Sequence, residues 1–377
     1  MAPPRYYADY LRLDRLLDAQ HPVSSVDGAP AHDEMLFIIV HQAFELWFKQ
    51  ILWELDAVMT TMAADNVPAG ELGRAVARLR RIAAIQPLLR GQLEVLETMT
   101  PLDFLDFRDA LVPASGFQSA QFRLIENRLG VPAATRLRIK GAIYHSRLTQ
   151  EDRARVVEAE RAPTLRDHLD RWLARTPFLR LGDYDFWTAY RGAVDDMLTG
   201  ERRIIVDNPN LDDEARAEQL AAHEQTVGGF AALFDADRHD ELVARGHRHL
   251  SHDAFLAALL ITLYRDEPMF HLPFQLLVAL IDIDEGFTAW RYRHALLVRR
   301  MIGDKVGTGG TSGHVYLQKA AERHRAFGDL FALPTFCIPR SALPRLPSRV
   351  REQLGFRWDD GGHTSRASSS DSDRRRS

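Results

Sequence analysis

Apolar residues recur along most of the chain at steps of three, four and seven, the period of a helix. Over residues 34–64, Phe37, His41, Phe44, Phe48 and Leu55 keep that period on one side. Leu36, Ile39, Ala43, Leu46 and Trp47 fill the other. A helix apolar on both sides belongs in the middle of a bundle rather than at its surface. Asp33 stands where an N-cap is expected, and Glu34 suits the positive end of the helix. Residues 70–98 repeat the period through Leu72, Val76, Leu79, Ile82, Leu89, Leu93 and Leu96. Pro87 lies inside this pattern and predicts a kink or a break, because proline brings no N–H to the ladder. The same period predicts helices over 101–111, 117–129, 150–175, 183–199, 212–234, 252–264, 273–302 and 314–330. No stretch alternates at period two. The expected fold class is all-α, a helical bundle.

Two regions depart from this pattern. Residues 131–182 alternate charge with short apolar pieces, and 161–180 is dense in Arg and Leu. Charge runs of that kind usually face water, so a peripheral helical insertion is expected there. Residues 361–377 have almost no apolar side chain to bury, which predicts a disordered tail. A single helical domain over 31–360, preceded by an N-terminal segment 1–30, is the resulting organisation.

Composition narrows the classes further. Hydrophobic residues make up 46% and charged ones 27%, the balance of a soluble globular protein. A formal charge of −4 is too small to suggest a nucleic acid or an anionic membrane as partner. The single cysteine, Cys337, rules out an intrachain disulfide, a Cys₄ metal site and a C-x-x-C-H haem attachment. Met1-Ala-Pro-Pro-Arg5 lacks the apolar core of a signal peptide, and the run from Ala254 to Tyr264 is too short to span a bilayer. A cytoplasmic location is expected.

Several stretches carry potential chemistry. His41 is alone among apolar neighbours, with Glu45 one turn on. Such an imidazole suits a base, a hydrogen-bond acceptor, one half of a metal site, or simply a satisfied core histidine. Phe287, Trp290, His294, Leu297 and Met301 share a helical face, while Arg291, Arg293, Arg299 and Arg300 spread elsewhere. A histidine in an apolar stripe suits a haem iron as well as core packing. Lys305-Val-Gly-Thr-Gly-Gly-Thr-Ser-Gly-His314 lets backbone N–H groups approach an anion, or is a plain connector; it follows a helix and lacks a Gly-Lys-Ser/Thr ending, against a P-loop. Arg108, between Phe107 and the segment Pro113 to Ser119, needs an anion if buried, and its planar fork matches a carboxylate. His247-Arg-His249-Leu-Ser-His252 reads as a surface patch, having no Cys or carboxylate at ligand spacing.

Taken together and in order, these segments resemble the tryptophan 2,3-dioxygenase family. The blocks are Tyr7-x-x-Tyr10-Leu-x-Leu-Asp14, His32-Asp-Glu-Met-Leu-Phe-Ile-Ile-Val-His41-Gln-Ala-Phe-Glu-Leu-Trp47, Leu96-Glu-Thr-Met-Thr100 and Phe107-Arg-x-x-Leu-x-Pro-Ala-Ser-Gly-Phe-Gln-Ser119. Trp290-Arg-x-x-His294 and Gly307-Thr-Gly-Gly-x-Ser-Gly313 follow. The long stretches 131–182 and 333–360, and Tyr264-Arg-Asp-Glu-Pro-Met-Phe270, look closer to eukaryotic than to short bacterial members.

The resemblance implies a helical enzyme with one non-covalent haem b per subunit and dioxygen as co-substrate. Both oxygen atoms would enter across the indole 2,3 bond of L-tryptophan, giving N-formylkynurenine, the first step of tryptophan catabolism. Carried over by position, His294 resembles the axial iron ligand, with Trp290 beside the cofactor. His41 resembles the distal histidine that accepts the indole N–H. Phe37 and Phe104 resemble the indole walls, Arg108 the carboxylate partner, Thr308 the loop hydroxyl for the ammonium and carboxylate, and Ser115 a pocket serine. Tyr7, Tyr10 and Leu11 resemble the segment that reaches a neighbour's pocket, which implies a homotetramer built as a dimer of dimers. Two alternatives stay open: a biosynthetic relative that adds one oxygen to a substituted tryptophan, and a non-catalytic haem-binding protein.

Overall fold

The computed structural model describes residues 5–24, 30–136, 144–176, 180–181, 184–305 and 313–354. The first elements are α1 (Tyr7–Leu11), α2 (Leu13–Leu16), α3 (Glu34–Met62), α4 (Ala69–Leu96), α5 (Pro101–Arg108) and α6 (Ala120–Leu129). Next come α7 (Gln150–Arg161), α8 (Leu165–Ala174), α9 (Phe186–Asp207), α10 (Asp213–Leu233), α11 (Ala236–Ala244) and α12 (His252–Leu263). The last described helices are α13 (Pro268–Ile302), α14 (Gly313–Arg323) and α15 (Ser348–Leu354). The all-α expectation holds. Its one exception among the described residues is a two-stranded hairpin, β1 (Arg180–Leu181) against β2 (Tyr184–Asp185).

The three longest helices form the centre. α4 packs along both α3 and α13, and α13 also packs on α14. Ile51, Leu55, Leu79, Ile82, Leu89, Ile283 and Phe287 are buried between them. Each such side chain contributes about 1.5–3 kcal/mol over exposure, so this stack sets the positions of everything attached to it. α3 is long and apolar enough to cross a membrane by length and composition, more so than residues 254–264; here it packs against α4, α6 and α8. Close approach of α4 and α13 depends on Gly286. A Cβ there would land on the Gln86 amide, which donates to the Ile283 carbonyl at 2.7 Å.

Several local expectations differ from the fold. Pro87 neither breaks nor ends α4, which runs through it with Leu89 and Leu93 buried on the far side. Asp33 sits at the N-cap of α3 but makes no side-chain cap bond. Glu34 turns back instead, accepting from the backbone N–H of Val23 at 2.7 Å and of Ser24 at 3.0 Å, which ties the N-terminal segment to α3. The helix expected over 150–175 is two helices, interrupted at Pro163 and restarted by a capping box of Thr164 and Asp167. The helix expected over 314–330 ends at Arg323.

Residues 131–182 are less peripheral than their charge suggests. α8 buries Leu165, Leu169 and Leu173 and packs on α3 and α12, with its arginines on other faces. Four-residue spacing of leucine outweighs the surrounding charge, because one apolar stripe is enough to dock a helix. His247, His249 and His252 are not a uniform surface patch either. His252 lies against the Leu233 carbonyl at 2.8 Å, and the His249 backbone donates to Asp329. The predicted tail, 361–377, lies outside the described residues.

Candidate active site

Three helices bring the predicted residues together. α5 starts at a capping box: the Asp103 N–H donates to Thr100 Oγ1 at 3.3 Å, and the Thr100 N–H donates to Asp103 Oδ2 at 2.9 Å. Pro101 at the first helical position stiffens that start. A cap of this kind contributes about 1 kcal/mol and fixes where the short helix begins. Phe104, Phe107 and Arg108 therefore project from a fixed register. Phe104 and Phe107 lie 5.8 and 5.6 Å from Phe37 of α3, centroid to centroid, and 5.4 Å from each other. Arg108 follows one turn after Phe104, at the end of α5.

From Phe37 the aromatic contacts continue without a gap. The Phe37 ring lies 4.1 Å from the His41 imidazole, and His41 meets Phe44 at 6.1 Å. Phe44 meets Trp290 of α13 edge-on at 6.0 Å, and Trp290 lies 5.4 Å from His294. Phe48 and Phe122 also contact Trp290, at 6.2 and 5.1 Å. Two helices far apart in sequence thus place two imidazoles at the ends of one apolar wall.

The electrostatics of the two rings follow from that wall. Burial, with a smaller contribution from the nearby His41, pushes the His294 pKa down to about 4. Burial also lowers His41, against a partial offset from the Phe37 carbonyl and from Glu45. Both rings are neutral at pH 7. His41 Nδ1 lies 2.7 Å from the Phe37 carbonyl oxygen, which can only accept. Nδ1 therefore carries the proton, and Nε2 is left with a lone pair. His294 Nδ1 and Trp290 Nε1 are buried without hydrogen-bond partners, a costly condition in a dry wall.

The remaining predicted residues fall in different places. Ser115 caps the 3₁₀ turn Gly116–Gln118, its hydroxyl accepting from the Phe117 N–H at 3.4 Å, so part of its capacity is structural. Glu45 accepts from Gln121 at 2.8 Å, which argues against a His41–Glu45 metal pair. Among the described residues no cluster of three or more His, Cys, Asp or Glu could hold a bare metal ion. Tyr7 and Tyr10 are 74% and 68% exposed on α1, and no ring contact or hydrogen bond links them to Phe37 or His41 among the described residues. Leu11 is exposed beside them. Thr308 lies outside the described residues. Two surface clefts, of about 630 and 540 Å³, lie elsewhere, against α9 and α10 and against α6 to α8, and neither is lined by His41 or His294. The chemistry is concentrated at the aromatic wall rather than in those clefts, which bring no comparable set of neutral donors and acceptors together.

Sequence reading missed Phe44, Phe48, Phe107 and Phe122 as walls of the site. Phe44 and Phe48 stand one and two turns beyond His41 on its own face, and that spacing was the available signal.

Such a site defines an all-α protein with an aromatic wall between two neutral imidazoles, suited to a flat apolar group and a ligand bearing an N–H. A family model described as tryptophan 2,3-dioxygenase matches residues 2–337. A tryptophan 2,3-dioxygenase of Bdellovibrio bacteriovorus is 50% identical over 356 residues, covering 94% of this chain and 99% of that protein. One from Alteromonas mediterranea is 47% identical, covering 94% and 98%, and one from Dictyostelium discoideum is 45% identical, covering 94% and 88%. The chain belongs to the tryptophan 2,3-dioxygenase family and is an oxidoreductase of that kind. Two of these relatives are bacterial and of closely matching length, so the long segments do not set the chain apart as eukaryote-like.

The tautomer of His41 is directly measurable. In haem-free protein labelled with ¹⁵N-histidine, His41 Nδ1 should give a protonated, pyrrole-type resonance and Nε2 an unprotonated one. The opposite assignment would remove Nε2 as an acceptor.

Proposed function

We propose that this aromatic wall would hold haem b, with His294 as the residue that would bind its iron and Trp290 lining the cofactor site. The protein uses it to insert both atoms of dioxygen across the indole 2,3 bond of L-tryptophan, giving N-formylkynurenine. One observation carries the reading: Phe44 and Trp290 link His41 to His294 through an unbroken run of ring contacts, and both imidazoles are neutral. The residues fit the cofactor. A neutral imidazole keeps a nitrogen lone pair for iron, Nδ1 of His294 is an unpaired buried atom, and the walls are apolar. When bound, haem supplies the iron centre that activates dioxygen, which as a triplet reacts poorly with a closed-shell indole.

The chain's own residues do the rest. His41 Nε2 accepts the indole N–H, the one polar point on an otherwise apolar ring. Phe37 and Phe104, in contact with each other at 5.8 Å between centroids, line one side of the indole. Arg108, at the end of α5, meets the substrate carboxylate with its planar fork. Thr308 supplies a hydroxyl to the ammonium and carboxylate, and Ser115 contributes its remaining donor at the pocket edge. Hydrogen bonds to charged groups contribute about 1.5–3 kcal/mol each, enough to select the amino acid over plain indole. His41 orients the substrate and need not take its proton for attack at carbon to proceed.

The N-terminal segment 1–30 completes the site from a neighbouring subunit in a homotetramer, a dimer of dimers. Exposure of Tyr7, Tyr10 and Leu11 supports this, since aromatic side chains at that density on a surface mark an interface.

Replacing His294 with alanine should abolish stable haem loading, whereas His41→Ala should leave haem bound. A normal Soret band in the first variant would contradict the ligand assignment. Deleting residues 1–12 should weaken both tryptophan affinity and the tetramer while haem binding persists. A truncated protein that remains tetrameric with unchanged tryptophan affinity would show that the segment is not shared.

A further inference from the structure

The aromatic wall leaves unexplained a group of charges buried directly behind it. Glu126 of α6, Arg291 of α13 and His324, just past α14, are each at least 95% buried, as is Arg123 of α6. Glu126 Oε1 accepts from Arg291 Nη2 at 2.9 Å and from His324 Nδ1 at 3.1 Å. Its other oxygen accepts from Arg123 Nη1 at 2.9 Å. Arg291 Nη1 donates onward to the His324 carbonyl at 3.1 Å. Burial alone would raise the Glu126 carboxyl, but the His324 hydrogen bond and the two guanidinium groups hold it well below the usual range. The carboxylate is ionised and fully used.

Such a cluster is a poor way to gain stability. Desolvating these ions is costly, and well-packed apolar residues in their place are often as stable or more so. A buried ionic cluster does impose directions that apolar contacts do not, since each bond has a length and an angle. The directions here converge on α13. Arg291 follows Trp290 and precedes His294 by one turn. Two turns earlier, Asp284 accepts from the backbone N–H of Ala326 at 3.1 Å and of Phe327 at 3.2 Å. Positions 284 and 291 lie on one stripe of the helix, so α13 is held to residues 324–327 at two points along its axis. Glu126 then fixes that pair to α6, whose Phe122 ring packs on Trp290.

We propose that Glu126 and Arg291 are positioning residues: through this ionic joint they set the rotation of α13 about its axis, and so the angle at which His294 meets the haem iron. The inference rests on His294 being the axial ligand. Arg291 touches neither substrate nor cofactor in this account; it acts through the helix. Arg123 shares the same carboxylate but lies on α6 itself, so its bond adds no constraint on α13.

That asymmetry supplies the test. In haem-loaded, reduced full-length protein, the iron–histidine stretching frequency is read by resonance Raman, and haem release is timed into excess apomyoglobin. Arg291→Met should shift the frequency and speed release by about 10- to 100-fold, the usual effect of disturbing support behind a metal ligand. Arg123→Met should lower the melting temperature while leaving both readings at wild-type values. Arg291→Lys, which keeps the charge but cannot span Glu126 and the His324 carbonyl, should shift the frequency in the same direction and covers the case in which Arg291→Met fails to fold. Wild-type frequency and release in folded Arg291→Lys would overturn the proposal, as would equal shifts in Arg123→Met. A His294→Ala protein that keeps the wild-type frequency would instead remove the ligand assignment on which the proposal stands.

Discussion

Burial lowers the pKa of two imidazoles, His41 on α3 and His294 on α13, and the helices around them are arranged to keep both rings against the same aromatic side chains. His41 and His294 sit at the ends of an aromatic wall, and burial is the main reason both are neutral. A neutral ring keeps one nitrogen as an acceptor, and the Phe37 carbonyl decides which one it is in His41. Holding that arrangement needs two rigid supports at a fixed separation. α3 and α13 provide them, 29 and 35 residues long, each packed along α4. The approach is close enough that residue 286 has room for no side chain.

Different forces act at different distances from the rings. Apolar burial assembles the three-helix centre but is indifferent to small rotations of a helix. Directional contacts remove that freedom. The Thr100 box sets the register of α5, the Glu34 carboxylate ties down the approach to α3, and the Glu126 cluster holds α13. Apolar surface remains outside this frame. Trp53 is 73% exposed on α3, and Leu46, Leu102 and Leu296 are exposed on three helices of the centre and its margin.

Much of the frame was legible in the sequence because it follows local rules. The period of apolar residues placed α3, α4 and α13, and the same period put His41 and His294 on apolar faces. What was not legible depends on distance in sequence. Glu126 meets Arg291 and His324 across 165 and 198 residues, and no local pattern announces that pairing. Within Trp290-Arg-x-x-His294 the arginine read as one of several scattered charges, whereas it is buried and bonded twice. α8 misled for the opposite reason. Its arginines dominate the composition while Leu165, Leu169 and Leu173 determine the docking. Glu34 was read for its effect on the helix dipole, yet its partners are Val23 and Ser24 in the preceding segment.

As a tryptophan 2,3-dioxygenase, the chain should deliver both atoms of one dioxygen molecule to the same product. Isotope labelling tests it in one measurement. Reduced, haem-loaded protein is given L-tryptophan under ¹⁸O₂ in ordinary water, and the product mass is read at early times, before carbonyl exchange. N-formylkynurenine carrying two ¹⁸O atoms is the predicted result. A product with a single ¹⁸O and an intact indole ring would contradict the account and place the protein among mono-oxygenating enzymes.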